Sequence, residues 1–251
     1  MIAKNISIVR NLLVKNLKLK YKQSFLGILW SLLTPLAFLT IFHFVFSKVF
    51  VTIENYTLYA LTGLIFWQFF SNASNQGIQS FIQNASIIKT INVPIGLFPL
   101  SAVATEIVAL GLSFIPFGIL MYFFGLQFSW HFLLIIPAIV LFAGMAYGIG
   151  VFLGVLNVYL RDVGILWNTL NPALFYLTPI AYDPSILPEK FLIFIKLNPL
   201  YHYMVVFRDI LYRNSTSSIE NWLIILAISL SFVAIGRFTI LKLEKGIISN
   251  I

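Results

Sequence analysis

The sequence predicts an all-α membrane protein: six transmembrane helices, an N-terminal amphipathic interface helix before them, and short re-entrant helices between the fifth and sixth spans. Three observations carry that prediction. Hydrophobic residues make up 60% of the 251 and charged residues only 10%, with a mean hydropathy of +0.95. A soluble chain runs nearer half apolar and a quarter charged, and no soluble core could hide this surplus. The apolar residues also gather into runs of the roughly 20 residues that hydrocarbon thickness demands. Finally, Lys4, Arg10, Lys15, Lys18, Lys20 and Lys22 crowd ahead of the first run with no acid among them. The formal net charge of +8 is therefore read by location. It is not taken as a nucleic-acid signal.

Each element follows in order. Residues 1–25 form the interface helix. Val9, Leu13, Leu17 and Tyr21 make a stripe at helical spacing, with Lys15, Lys18 and Lys22 opposite and Arg10 and Lys20 slightly out of pattern. A basic amphipathic helix of this kind lies in the headgroup plane of anionic lipid; the alternative is a basic flank that only sets topology. The run after it is too long for a signal-peptide core and lacks a cleavage site, so it reads as an uncleaved first span. The spans are Leu26–Val51, Tyr56–Ile78, Leu97–Phe124, Phe132–Leu160, Val163–Tyr182 and Trp222–Leu241. Pro35 lies near the start of the first, and Pro172 and Pro179 break the fifth. Residues 183–215 hold two apolar pieces split at Asn198–Pro199, each too short to span, and read as a helix–turn–helix dipping in from the outer face. A surface loop with amphipathic helices is the alternative.

Charge sets the orientation. The C-terminal tail carries Lys242 and Lys245, and the loops after spans two and four carry Lys89 and Arg161. On the other side Lys48, Lys190, Lys196, Arg208 and Arg213 are balanced by Glu54, Asp183, Glu189, Asp209 and Glu220. Both termini are therefore expected in the cytoplasm.

Several motifs stand out within this frame. The loop from Ser86 to Val93 is mildly amphipathic, with Ile87 and Ile88 as exposed apolar candidates, and could form a short docking helix. Phe38, Phe42, Phe46 and Phe50 recur every four residues, and Trp167, Phe175 and Tyr176 lie in the fifth span. Such stripes pack a bundle or face lipid; if a glycan passes through, they also suit a channel wall, because aromatic faces stack on sugar rings. Gly144, Gly148, Gly150 and Gly154 are spaced for close helix packing. Glu106 is the one acid well inside a span, with no Asp, Arg or His partner in another span. His43 reads as a hydrogen-bonded core residue. With no Cys, no phosphate-binding loop, no metal-ligand spacing and no catalytic constellation, the chain does not read as an enzyme.

Four blocks in order then add a resemblance covering nearly the whole chain: "LKLKYKQSFLGILWSLLTP", "NVPIGLFPLS", "VYLRDVGILWNTLNPALFYLTPIAYDPSILP" and "LNPLYHYMVVFRDILY". They resemble the permease subunit of ABC-2 type polysaccharide exporters, the family of O-antigen, capsule and teichoic acid export. The resemblance implies one transmembrane domain over residues 1–251, working as a homodimer in the bacterial inner membrane. Two copies of a separate nucleotide-binding ATPase would pair with it and bind ATP and Mg, so this chain would hold no cofactor. The cargo would be a polysaccharide linked to a polyprenyl-pyrophosphate lipid. Coupling to the ATPase would fall to Ser86, Ile87, Ile88, Lys89, Asn92 and Val93, with Arg161 and Asp162 facing the same partner or ordering that corner as an ion pair. Arg10, Lys15, Lys18 and Lys22 would meet lipid headgroups. Phe38, Phe42, Phe46, Trp167, Phe175 and Tyr176 would line the channel, and Asn198, Pro199 and Tyr201 would belong to a periplasmic gate. Competing readings are an ABC-2 exporter of a small lipid or drug, an ion-coupled flippase working alone, which would need more buried charge than Glu106, and a membrane glycosyltransferase, which would need a soluble catalytic region.

Overall fold

The architecture comes from a computed structural model that describes residues 2–22, 27–46, 53–91, 93–124 and 129–251. Every regular element among them is helical: α1 (Ile2–Tyr21), α2 (Trp30–Phe46), α3 (Tyr56–Gln83), α4 (Ala85–Thr90), α5 (Leu97–Phe123), α6 (Ile135–Tyr159), α7 (Asp162–Leu177), α8 (Glu189–Leu197), α9 (Pro199–Leu211) and α10 (Ile219–Asn250). Single 3₁₀ turns precede α2, α6 and α8.

Among the described residues, three helices are long and apolar enough to cross a bilayer: Leu97–Phe123, Trp130–Tyr159 and Ile219–Glu244. They answer to the third, fourth and sixth predicted spans, the last running further at both ends than the sequence suggested. The predicted second span falls on α3, whose 28 residues rise about 42 Å. It is long enough, but Gln68, Asn72, Gln76 and Gln83 mark it as a helix with a polar side. The predicted first span holds the 17-residue α2, and the ends predicted for it lie outside the described residues. The fifth is shorter than expected. α7 stops at Leu177, about 24 Å long, because Pro179 disfavours helical backbone at Thr178, which is extended.

α3 is the hub. Its buried residues include Leu58, Leu61, Ile65, Phe66 and Phe70, and α2, α5, α6, α7 and α9 all pack against it. The centre is aromatic: Phe66 stacks on Phe207 with ring centroids 3.5 Å apart, and Phe142 meets Phe66, Phe69, Phe70, Tyr203 and Phe207. Burying such rings is the main source of contact area in a bundle that cannot rely on water exclusion between helices. The α6 glycines pack as their spacing predicts. A Cβ on Gly148 would run into the Phe232 carbonyl on α10, and one on Gly150 would sit 3.1 Å from the Gly77 Cα on α3. One helix thus holds two neighbours at backbone contact.

The helix pair between α7 and α10 forms with its break at Asn198, as read from the sequence. The Asn198 side chain accepts from Leu200 N at 3.0 Å to cap α9, and Pro199 sits at the first helical position. The two halves differ. α8 is mostly exposed, whereas α9 buries Leu200, Tyr203, Met204, Val206, Phe207 and Ile210 in the core. The Tyr203 hydroxyl donates to the Ile225 carbonyl at 2.9 Å, tying α9 to α10.

Candidate functional site

The site is best built from the end of the bundle where α1, α4 and the start of α5 meet. The residue of α1 that buries is Leu12, with Ile8 packed beside it against Phe81, Ile88, Phe98 and Val155. The predicted stripe of Val9, Leu13, Leu17 and Tyr21 is only half-buried. The contact face is turned by one position because the polar side chains of α1 also find partners on the bundle. Lys15 Nζ donates to Asn84 Oδ1 at 2.8 Å, Asn16 reaches Ser101 at 3.5 Å, and Lys20 Nζ lies 2.7 Å from both oxygens of Glu106. Contacts that advance together along both chains run α1 parallel to α5. Arg10, Lys18 and Lys22 stay exposed.

Glu106 is thus not isolated. Its carboxylate is 1% exposed and accepts from Lys20, from Asn72 Nδ2 at 3.2 Å and from Gln76 Nε2. A buried carboxylate needs this full set of donors and a counter-charge to offset lost hydration. The partner escaped sequence reading because it comes from the interface helix, where Lys20 looks like a defect in the stripe, and not from another span. Two cavities of about 210 and 520 Å³ flank the pair, and Lys20 lines both.

α4 places the predicted coupling residues, with one correction. Ile88 is buried and Ile87 half-buried, both turned into the cluster around Leu12 and Phe81. The face α4 offers outward is Ser86, Lys89 and Thr90, continued by Ile91, which is 51% exposed. Helical periodicity over six residues is too short to tell these faces apart in sequence. Val93 packs at the edge of the same cluster, and Asn92 lies outside the described residues. Arg161 and Asp162 are exposed and form no ion pair with each other. The corner is ordered instead by Asn157, 1% exposed, whose Oδ1 accepts from Gly164 N at 2.9 Å.

Four of the six aromatics named for a channel meet at one place. Phe38, Phe42, Phe175 and Tyr176 line one cavity of about 530 Å³ between α2, α3 and α7. Trp67, which the sequence reading did not select, closes it, its ring 5.4 Å from that of Phe175. Trp167 stands off this cavity; its Nε1 donates to Ser74 and its ring meets Phe70. For Phe46 only the backbone at the end of α2 is described. The cavity is not purely apolar. Gln68, Ser71 and Asn171 lie on its wall; Ser71 donates to Asn171 Oδ1 at 3.0 Å, and the Asn171 Nδ2, buried, has no partner. Aromatic faces beside a strip of amide and hydroxyl groups suit a polyhydroxylated ligand. His43 is exposed and bonded to Thr57, and so is not the core residue expected.

At the opposite end of α3, Asn198 also donates to Thr178 Oγ1 at 2.9 Å, and Tyr201 lines a small cavity with Tyr59 and Arg208.

With this geometry in place, comparison with known proteins is decisive. The ABC-2 type transporter family matches residues 8–212. This chain belongs to the ABC-2 type transporter family. It is 36% identical over 239 residues to the O-antigen export system permease protein RfbA of Klebsiella pneumoniae, covering 91% of this chain and 89% of that one. It is 24% identical to the RfbA protein of Myxococcus xanthus over 87% of this chain and 85% of that one. It is 22% identical to the capsule polysaccharide export inner-membrane protein CtrC of Neisseria meningitidis, over 96% of this chain and 92% of that one. This ABC-2 permease is thus a membrane transport protein, and the matched region takes in α4, the aromatic cavity and α9.

Proposed function

We propose that this chain is the permease of an ATP-driven exporter that moves polyprenyl-pyrophosphate-linked, O-antigen-like polysaccharide across the bacterial inner membrane. The observation that carries the reading is the aromatic cavity between α2, α3 and α7, with its strip of Gln68, Ser71 and Asn171. A polymer that must bind and slide needs many weak stacking contacts and few fixed ones, and this wall supplies both kinds. Likeness to export permeases of O-antigen and capsule polysaccharide supports the choice of cargo.

The chain works as a six-span homodimer with both termini in the cytoplasm. α9 and α8 form the periplasmic gate. Two copies of a separate ATPase dock on the exposed face of α4, with Arg161 and Asp162 nearby, and bind the ATP and Mg that this chain does not hold. α1 lies at the cytoplasmic membrane surface, where Arg10, Lys18 and Lys22 meet lipid headgroups and the pyrophosphate of the cargo. Lys15 and Lys20 are committed to Asn84 and Glu106 and weld α1 to the bundle. ATPase closure then moves α4, α1 and the start of α5 as one body and tilts α2 against α7 to open the channel.

Co-purification with the ATPase tests this. The predicted result is a two-plus-two complex whose ATP hydrolysis falls at least fivefold when Lys89 and Ile91 are replaced by Ala, with the permease still folded. A chain that purifies alone and moves its cargo without ATP would contradict it.

A further inference from the structure

Arg208 poses a problem of charge. It lies on α9, only 4% exposed, in the half of the molecule remote from α1. Its guanidinium lies over the Tyr59 ring at 3.7 Å and donates from Nη2 to the Ile180 carbonyl at 2.6 Å. Nε is buried and has no partner. No carboxylate of the described residues lies within ion-pair distance, since the pairs formed are Lys20–Glu106 and Arg213–Asp209. A carbonyl and a ring face soften a buried cation without neutralising it, and a buried charge lacking a counter-charge is costly. Fixing the Ile180 carbonyl would need only a neutral donor, so that task does not explain an arginine.

The side chain borders a cavity of about 210 Å³ whose wall includes Tyr59, Asp183, Tyr201, Arg208 and Arg213. The donors facing it are of one kind. Arg213 is bound to Asp209 through Nη1, yet its side chain is 54% exposed and its remaining N–H groups are free to turn inward. The Tyr201 hydroxyl has no hydrogen bond to any described residue; the Tyr59 hydroxyl is committed to the Tyr182 carbonyl at 2.9 Å. Asp183 is the one acid on the wall, and it already accepts from Ser185 N at 2.8 Å. Arg213 is already balanced by Asp209, so Arg208, with its Nε unpartnered, is the cation on this wall that has no ion-pair partner among the described residues.

We propose that this pocket binds a phosphoryl anion, a phosphodiester or a pyrophosphate, with Arg208 and Arg213 clamping its oxygens and Tyr201 donating a third bond. Planar guanidinium forks match phosphate geometry. Asp183 weakens binding as the anion's charge rises, so a phosphodiester or an esterified pyrophosphate is held better than the more highly charged free anion, and removing Asp183 should help the free anion most. The group comes from a phospholipid headgroup or from the lipid pyrophosphate of the cargo. Naming the cargo as a source rests on the export reading above; the pocket does not.

The test is binding of inorganic pyrophosphate to the full-length chain in a phosphate-free maltoside detergent, followed by phosphorus NMR line broadening. Saturable millimolar or tighter binding is expected. Arg213→Gln should weaken it at least fivefold, and Asp183→Asn should tighten it about threefold or more. Both residues lie toward the surface, so the test does not depend on whether Arg208→Gln folds. Phosphatidylglycerol is then added: displacement of pyrophosphate supports a headgroup occupant, and failure to displace supports the cargo pyrophosphate. Absence of saturable binding, or equal affinity in the wild type and both variants, overturns the proposal. No ATPase or transport enters the measurement, so its failure leaves the export reading standing.

Discussion

Removing the counter-charge of Glu106 should detach the N-terminal helix. In Lys20→Met the carboxylate keeps Asn72 and Gln76 as donors but loses both 2.7 Å contacts to an ammonium. Breaking a fully buried ion pair by removing one partner costs about 3–5 kcal/mol. Here the Lys20 side chain is 25% exposed, so water screens one end and the cost falls to about 2–3 kcal/mol. Glu106→Gln removes the charge but keeps an acceptor for Asn72 and Gln76, and leaves Lys20 able to turn to water, so about 1–2 kcal/mol is expected. In the double variant neither charge is stranded, and the loss should fall short of the sum by about 1–2 kcal/mol. The assay is reversible unfolding in mixed micelles followed by Trp fluorescence, with limited proteolysis after Tyr21 reporting release of α1. Strict additivity, within about 0.5 kcal/mol, would refute the claim that this pair holds α1 to α5.

Other outcomes follow from the same packing. Gly148→Leu should abolish folding or lower stability by more than about 3 kcal/mol, since its Cβ meets the Phe232 backbone, whereas Gly111→Ala, with nothing within 4 Å, should be tolerated; thermal unfolding in detergent separates them. Ile88→Ala should cost about 2–4 kcal/mol by opening the cluster around Leu12, with Ile91→Ala nearly neutral in stability yet impaired in ATPase coupling. Tyr203→Phe should cost about 1 kcal/mol by leaving the Ile225 carbonyl without its donor. Phe42→Ala and Asn171→Ala should each lower glycan export several-fold without disturbing complex assembly, measured as surface polysaccharide per cell.

What was legible in the sequence was what length and hydropathy encode. The apolar helices from Leu97 and Ile219, the helix before the first span and the break at Asn198–Pro199 each follow from one residue's chemistry or from run length. The glycine contacts of α6 were also readable, because each Gly-x-x-x-Gly pair, 144/148 and 150/154, lies on one face of the helix; the meeting of Phe38 and Phe42 on α2 with Phe175 and Tyr176 on α7 was not, since no spacing links two helices. The misses share a cause: they depend on which neighbour a side chain meets. Lys20 was set aside as breaking a pattern because its partner lies 86 residues away. Ile87 and Ile88 looked like a docking surface because a six-residue helix has no resolvable period. Asn157, not an Arg161–Asp162 pair, orders the corner before α7, since a side-chain cap seven residues distant leaves no local signal. The early end of α7 was written in Pro179, but the hydropathy that continues past it masked the stop.

If this ABC-2 permease carries a lipid-linked glycan outward at the expense of ATP, as proposed, the location of that glycan in cells lacking only this chain will show it. Intact polysaccharide on its lipid carrier should accumulate at the cytoplasmic face, with export restored by the wild-type chain but poorly by Phe42→Ala. Normal surface polysaccharide in the deletion, or loss of its synthesis without cytoplasmic accumulation, would rule out an export role.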